Sequence, residues 1–210
     1  MARAHPTTPL WLKLTVVAVL TGAVGWCVAD WRDRRGNEQR LGAIASQIAG
    51  RDVRVRCPGP LARLIGWDIV EGSVRFDADG TPEDETKIRE RSCGELDALA
   101  EGRREKELAC IGRTGIACGE HGRETAMAVD VLAHESWHLR GVIDEAETEC
   151  RSLQTIAWTA QQLGATAEQG RAMALAQFDG AYLDMPDRYR SGACADGGAL
   201  DLRRDDPRFP

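Results

Sequence analysis

The apolar and polar positions of the chain change rhythm several times, and each rhythm predicts a different element. Residues 10–29, LWLKLTVVAVLTGAVGWCVA, are apolar throughout apart from Lys13 and scattered small polar residues. Twenty helical residues at about 1.5 Å each span roughly 30 Å, the thickness of a bilayer core. The run therefore predicts a transmembrane anchor or uncleaved signal, with Trp11, Trp26 and Trp31 near its ends, where indoles favour the headgroup level. A secretory signal peptide ending near Ala29 is the alternative, and cleavage there would make the protein secreted. Residues 1–9 are then an N-terminal tail. Residues 30–50, charged at first and then LGAIASQIAG, read as a juxtamembrane linker helix that stops at Gly50.

Beyond Gly50 the period shortens. VRVRC at 53–57 and SVRFDADG at 73–80 alternate with period two, which predicts two or three short strands, and Asp77–Gly80 is a turn. From Pro82 the charges surround Ile88, Leu96, Leu99 and Leu108, a surface-helix pattern interrupted at Gly94 and Gly102, and CIGRTGIACGEHG at 110–122 reads as a loop. Arg123 to Arg140 reads as a helix closed by Gly141. Asp144, with Glu147 three residues on, opens a second helix that runs to about Leu163, and Thr166 caps a third over 166–178. The short connection makes the first two antiparallel neighbours. Trp137 and Trp158 are expected in the helical core, and the tail after Pro186 is irregular. The expectation is a mainly α fold with a small β element (α+β), an N-terminal transmembrane helix, and one domain over residues 51–210.

Composition narrows the compartment and the partners. With 33 acidic against 27 basic residues, a net charge of −6 and a pI near 5.3, the protein has no field to attract a polyanion, which excludes nucleic acid as a partner. Of the seven cysteines, Cys57, Cys93, Cys110, Cys118, Cys150 and Cys194 lie beyond residue 50 without any CxxC pair. An even number at wide spacing points to three disulfides in an oxidising space, and so to a single-pass cell-membrane protein with an extracytoplasmic domain. Arg32, Arg34, Arg35 and Arg40 argue the other way, since the positive-inside rule holds such residues in the cytoplasm. In that case the thiols are free and buried.

The chemistry concentrates at His134, Glu135, Ser136, Trp137 and His138, HESWH. Residues four apart share a helix face, so both imidazoles can converge on one Zn²⁺ while Glu135 can take a proton from metal-bound water. Zinc needs a third protein ligand, and LRGVIDEAETEC supplies Asp144, Glu145, Glu147 and Glu149. On antiparallel helices the metal lies about 8 to 10 Å above the turn, using the rise per residue, and Glu149 is nearest that level. Glu145 is one turn lower, on the same face, and Asp144 is the remaining alternate.

HESWH followed by an acidic helix resembles the zincin metallopeptidases. HESWHLRGVID fits HExxHxxGxxD, a metzincin-like arrangement that implies Asp144 as third ligand. The gluzincin-like alternative implies that Glu145 binds zinc and Glu149 orients His134. Either resemblance implies a zincin-like helical domain and a peptidase acting on peptide or protein, in which Glu135 accepts a proton from zinc-activated water. His121, Tyr182, Tyr189 or an arginine could donate to the oxyanion. A disulfide at Cys150 would pin the ligand helix. The reading from another class is a non-enzymatic, disulfide-stabilised binding or regulatory module with a structural or vacant metal site.

Overall fold

The computed structural model describes residues 10–59, 70–114, 118–204 and 209–210. Its order is α1 (Leu10–Ala49), β1 (Arg54–Arg56), β2 (Gly72–Phe76), β3 (Pro82–Ile88), α2 (Glu90–Ala100), α3 (Glu105–Thr114), α4 (Gly119–Leu139), α5 (Glu145–Gln162) and α6 (Ala167–Asp179), followed by two 3-10 turns, Ala181–Asp184 and Asp187–Tyr189. Helices dominate, with one small sheet. The residues up to Gly36 make one compact unit and Asn37–Pro210 a second.

The expected transmembrane helix is corrected. Residues 10–29 do not stand as a separate span but begin a helix of 40 residues that continues without a break through the charged stretch after Trp31. Among the described residues no helix is long and apolar enough to cross a membrane. The expected N-terminal tail at 1–9 and the side chains of Trp11, Lys13, Trp26 and Cys27 lie outside the described residues. The last turns of α1 are a core element: Leu41, Ile44, Ala45 and Ile48 are buried at helical spacing, and Asn37 Nδ2 donates to the Cys93 carbonyl at 3.1 Å. Gly50 ends the helix with φ of 72°, where a side chain would be strained.

Three strands form the sheet in the order β1-β3-β2, with β1 parallel and β2 antiparallel to the central strand. The helix expected from Pro82 begins only at Glu90, because residues 82–88 have period two: Thr86 and Ile88 are fully buried while Glu83 and Lys87 are exposed on the opposite face. The turn at 77–80 forms as the sequence predicts, with Asp77 Oδ1 accepting from Asp79 N at 3.0 Å and Thr81 N at 2.8 Å. The segment expected as a loop over 110–122 is helical on both sides of residues 115–117, which lie outside the described residues; α3 runs to Thr114 and α4 starts at Gly119.

Helices α4 and α5 are antiparallel. Partners descend α4 as they climb α5: His138 meets Glu145, His134 meets Glu149 and Asp130 meets Ser152. The connection is tight because Gly141 takes a φ of 103° and Asp144 caps α5, its Oδ1 accepting from Glu147 N at 2.8 Å. Trp137 is buried and donates to Thr155 Oγ1 at 3.2 Å, while Trp158 packs partly buried against the core. Disulfides join Cys57 to Cys93, Cys110 to Cys118 and Cys150 to Cys194. The last ties the irregular tail to α5, next to Glu149.

Helix α6, opened by a capping box between Thr166 and Gln169, closes on α5 through Gly170, where a Cβ would lie 2.5 Å from the Ala157 carbonyl oxygen. Gly170→Ala should therefore lower stability by about 1 to 3 kcal/mol through overpacking, although alanine is the better helix former. Urea unfolding checks the sign; a more stable variant would contradict the close approach.

Candidate metal centre

Helix periodicity brings the two imidazoles of α4 together, and the short connection brings α5 under them. His134 Nε2 lies 3.0 Å from His138 Nε2 and 3.2 Å from Glu145 Oε2, and His138 Nε2 lies 3.4 Å from the same carboxylate oxygen. These three ligand atoms form a group that can hold a metal ion. The fit can be tested on the distances: four ligands at about 2.05 Å from an ion in tetrahedral geometry lie about 3.3 Å apart, so the observed edges match one face of such a tetrahedron.

The outer ring nitrogens fix the orientation. His134 Nδ1 is 2.8 Å from Glu149 Oε2, and His138 Nδ1 donates to the Val142 carbonyl at 2.7 Å. With Nδ1 donating outward, each Nε2 turns a lone pair inward, the second-layer arrangement that orients metal-binding histidines. Three acceptors then face one point and repel unless a cation or proton lies between them. In the metal-free protein a proton takes that role: burial pulls the His134 pKa down, but the hydrogen bonds to Glu145 and Glu149 outweigh it and raise it to about 10. His138 is pushed below its usual value by burial and by the neighbouring His134 charge. Glu145 is held below the usual carboxylate range, chiefly by its bond to His134.

The acids fall into separate places. Glu149, first in reach by the sequence argument, sits on the outer nitrogen of His134; Glu145 meets the inner nitrogens of both histidines; Asp144 is occupied as the α5 N-cap. By axial rise alone Glu149 stands nearest the level of the two rings. Glu145, first in α5 and 41% exposed, nevertheless carries its carboxylate to the inner nitrogens, 3.2 Å from His134 Nε2 and 3.4 Å from His138 Nε2.

Glu135 is 6% exposed, one residue round the helix from His134 and facing the sheet. Thr86 Oγ1 donates to its Oε2 at 3.4 Å, and β2 passes so close that a Cβ on Gly72 would fall 2.5 Å from Glu135 Oε1. Burial raises its pKa to about 7, against the pull of His134 and Thr86.

Asp130, unremarked in the sequence reading, lies one turn before His134 on the same face. It is 5% exposed, accepts from Ser152 Oγ at 2.7 Å and Gln177 Nε2 at 3.4 Å, and burial together with the Glu149 charge holds its pKa well above the usual range. The available signal was an acid at i−4 from the first histidine inside the apolar run AMAVDVLA.

Of the other named donors, Tyr189 stands beside the site, its ring centroid 6.3 Å from that of His134, and Arg123 lines the same cavity. Tyr182 is buried and its hydroxyl accepts from Ser191 N at 3.0 Å. His121 is about 20 Å from His134 along α4 by helical rise. It joins a second group with Glu95 and Glu124 whose ligand atoms also lie within 4.8 Å. There Arg104 takes both oxygens of Glu95 at 2.7 and 2.8 Å and Arg91 pairs with Glu124, so the positive charge is already supplied. A cavity of about 870 Å³ opens beside His134, Glu135 and Tyr189. Comparison with known proteins finds no match among family models, curated proteins or solved structures.

The metal-free protein has a defined pH signature. A histidine whose folded-state pKa is raised stabilises fully below its unfolded value and loses that contribution as pH rises to the folded one, so stability should fall between pH 6.5 and about 10. The raised pKa of Glu135 acts in the same sense between 4.5 and about 7. Urea midpoints in the presence of chelator, measured across pH 6.5 to 10 on wild type and His134→Gln, should show a decline that the variant loses.

Proposed function

We propose that this protein is a zinc-dependent hydrolase of peptide bonds, acting in an oxidising, extracytoplasmic compartment. The observation that carries the reading is the juxtaposition of three convergent ligand atoms with a buried, ligand-free carboxylate, Glu135, on the wall of the same cavity as His134. A purely structural site has no use for that carboxylate, and its raised pKa suits a group that must both take and give a proton near neutrality. The HESWH spelling and its resemblance to zincins support the same conclusion, as does the choice of nitrogen and oxygen donors, which suits zinc. The three disulfides support the compartment.

Under this reading His134, His138 and Glu145 hold the ion, and Glu149 and the Val142 carbonyl fix the two rings. Zinc, when bound, supplies a Lewis acid that acidifies water and polarises a carbonyl. Glu135 Oε1 and Oε2 take the proton from water and return it to the leaving amine, with Gly72 and Thr86 holding the carboxylate against the sheet. Tyr189, which lines the cavity with its ring 6.3 Å from that of His134, is the donor we assign to the carbonyl oxygen.

Two variants test the roles separately. His134→Ala with His138→Ala should reduce zinc from about one per chain to none. Glu135→Gln should keep the zinc and lower peptide hydrolysis by about 10² to 10⁴-fold, the usual weight of a general base. Zinc content by atomic absorption, alongside turnover of a peptide library, reads both; a Glu135→Gln protein that hydrolyses as wild type would remove the hydrolase reading and leave a metal-stabilised binding module.

A further inference from the structure

The cavity beside the metal centre has apolar walls, from Met127 and Val131 of α4, Ala176 of α6 and Met185. The acids in its depth already have partners. Glu71 is held by Arg89 and Ser92, Glu124 by Arg91, Glu149 by His134, and Asp130 accepts from Ser152 Oγ and Gln177 Nε2. The lining charges without a partner among the described residues, Arg123 and Asp184, are both exposed, so the interior offers a charged ligand no unanswered counter-ion. What the interior does offer is an amide. Gln177 of α6 lines the cavity and is 6% exposed. Its Nε2 is engaged by Asp130 Oδ2 at 3.4 Å, whereas its Oε1 takes no hydrogen bond among the described residues and, unlike Glu149 Oε1, is not sealed within the protein. A carboxamide oxygen left bare among apolar side chains is costly, so its open end calls for a donor.

We propose that this cavity is a side-chain subsite for tyrosine: the ring lies against Met127, Val131, Ala176 and Met185, and the hydroxyl donates to Gln177 Oε1. An apolar body with a polar tip is the shape that these walls and this one acceptor select, and methionine sulfur favours the edge of an aromatic ring. A hydroxyl both donates and accepts, so it satisfies the carboxamide whichever of its two ends faces the void. The reach also fits. Asp130, which Gln177 touches, stands four residues and about 6 Å of axial rise before His134, close to the span of a tyrosine side chain from backbone to hydroxyl. A phenylalanine ring would fill the same walls but cut the oxygen off from water, so the subsite discriminates by the hydroxyl rather than by size. The tyrosine's being part of a substrate rests on the hydrolase reading; the seating of a phenol does not.

The test uses the full chain loaded with zinc and two probes that differ by one oxygen, N-acetyltyrosinamide and N-acetylphenylalaninamide. Titration calorimetry should show the tyrosine amide binding at least about tenfold more tightly, and Gln177→Met, of like length without the carboxamide, should remove most of that preference while leaving zinc content unchanged. Equal affinity of the two amides for wild type, or no binding of either, would overturn the subsite without reference to any variant, as would a preference unaltered in Gln177→Met. Peptides that differ only in tyrosine or phenylalanine beside the scissile bond separate this idea from the hydrolase. Cleavage indifferent to the hydroxyl overturns the subsite and leaves the hydrolase. Selective binding of the tyrosine amide with no peptide cleaved leaves the subsite and removes the hydrolase.

Discussion

Three inward lone pairs, on two imidazoles and a carboxylate, have to share one small space, and much of the domain is arranged around that demand. Acceptors 3.0 to 3.4 Å apart in a largely buried place repel unless something positive lies among them. Helix α4 cannot avoid the crowding, because residues four apart share a face. Helix α5 increases it by bringing Glu145 from below and Glu149 from behind. The arrangement is tolerable only because a proton, or a cation in its place, neutralises the centre.

Holding such a centre requires that the two helices not slide. Gly141 and Asp144 fix the length of the turn, the Val142 carbonyl in that turn binds His138, and the Cys150–Cys194 bridge fastens α5 one residue beyond Glu149. The same tail then carries Tyr189 to the cavity, so the bridge joins the second layer of the centre to its outer wall. On the other side the sheet approaches α4 through Gly72 and Thr86 and confines Glu135. Apolar packing supplies the framework, and the polar contacts within it specify where each ligand atom stands.

Local rules of the sequence were enough for the parts of this design that are local. The HESWH spacing, the stop at Gly141, the cap at Asp144 and the capping box at Thr166 each depend on neighbours within a few residues, and each has its structural counterpart. The order of the acids was not local: reach by axial rise favoured Glu149, whereas the pairing of the two helices sets the Glu145 carboxylate against the inner nitrogens. Strand β3 was hidden because its Glu and Lys residues have helical propensity, and only pairing to β1 and β2 buries Thr86 and Ile88. Residues 10–29 misled for a different reason. Counting apolar letters gives a span its length but cannot say where a helix ends, and this one continues to Ala49.

The arrangement of chemistry on α4 follows from a single angular fact. Asp130, His134 and His138 recur every four residues and so fall along one stripe, with the two histidines that can hold a metal at its C-terminal end and an extra acid one turn before them. Glu135 is displaced by about 100° from His134, one residue of helical rotation, which takes it off the stripe toward β2 and β3. Asp130, His134 and the displaced glutamate open on one cavity, yet they face different neighbours: helices with acids and amides on one side, a glycine and a threonine of the sheet on the other. One helix therefore presents a stripe of candidate ligands and a separate buried carboxylate to its neighbours, and a residue shift in either packing partner would uncouple them.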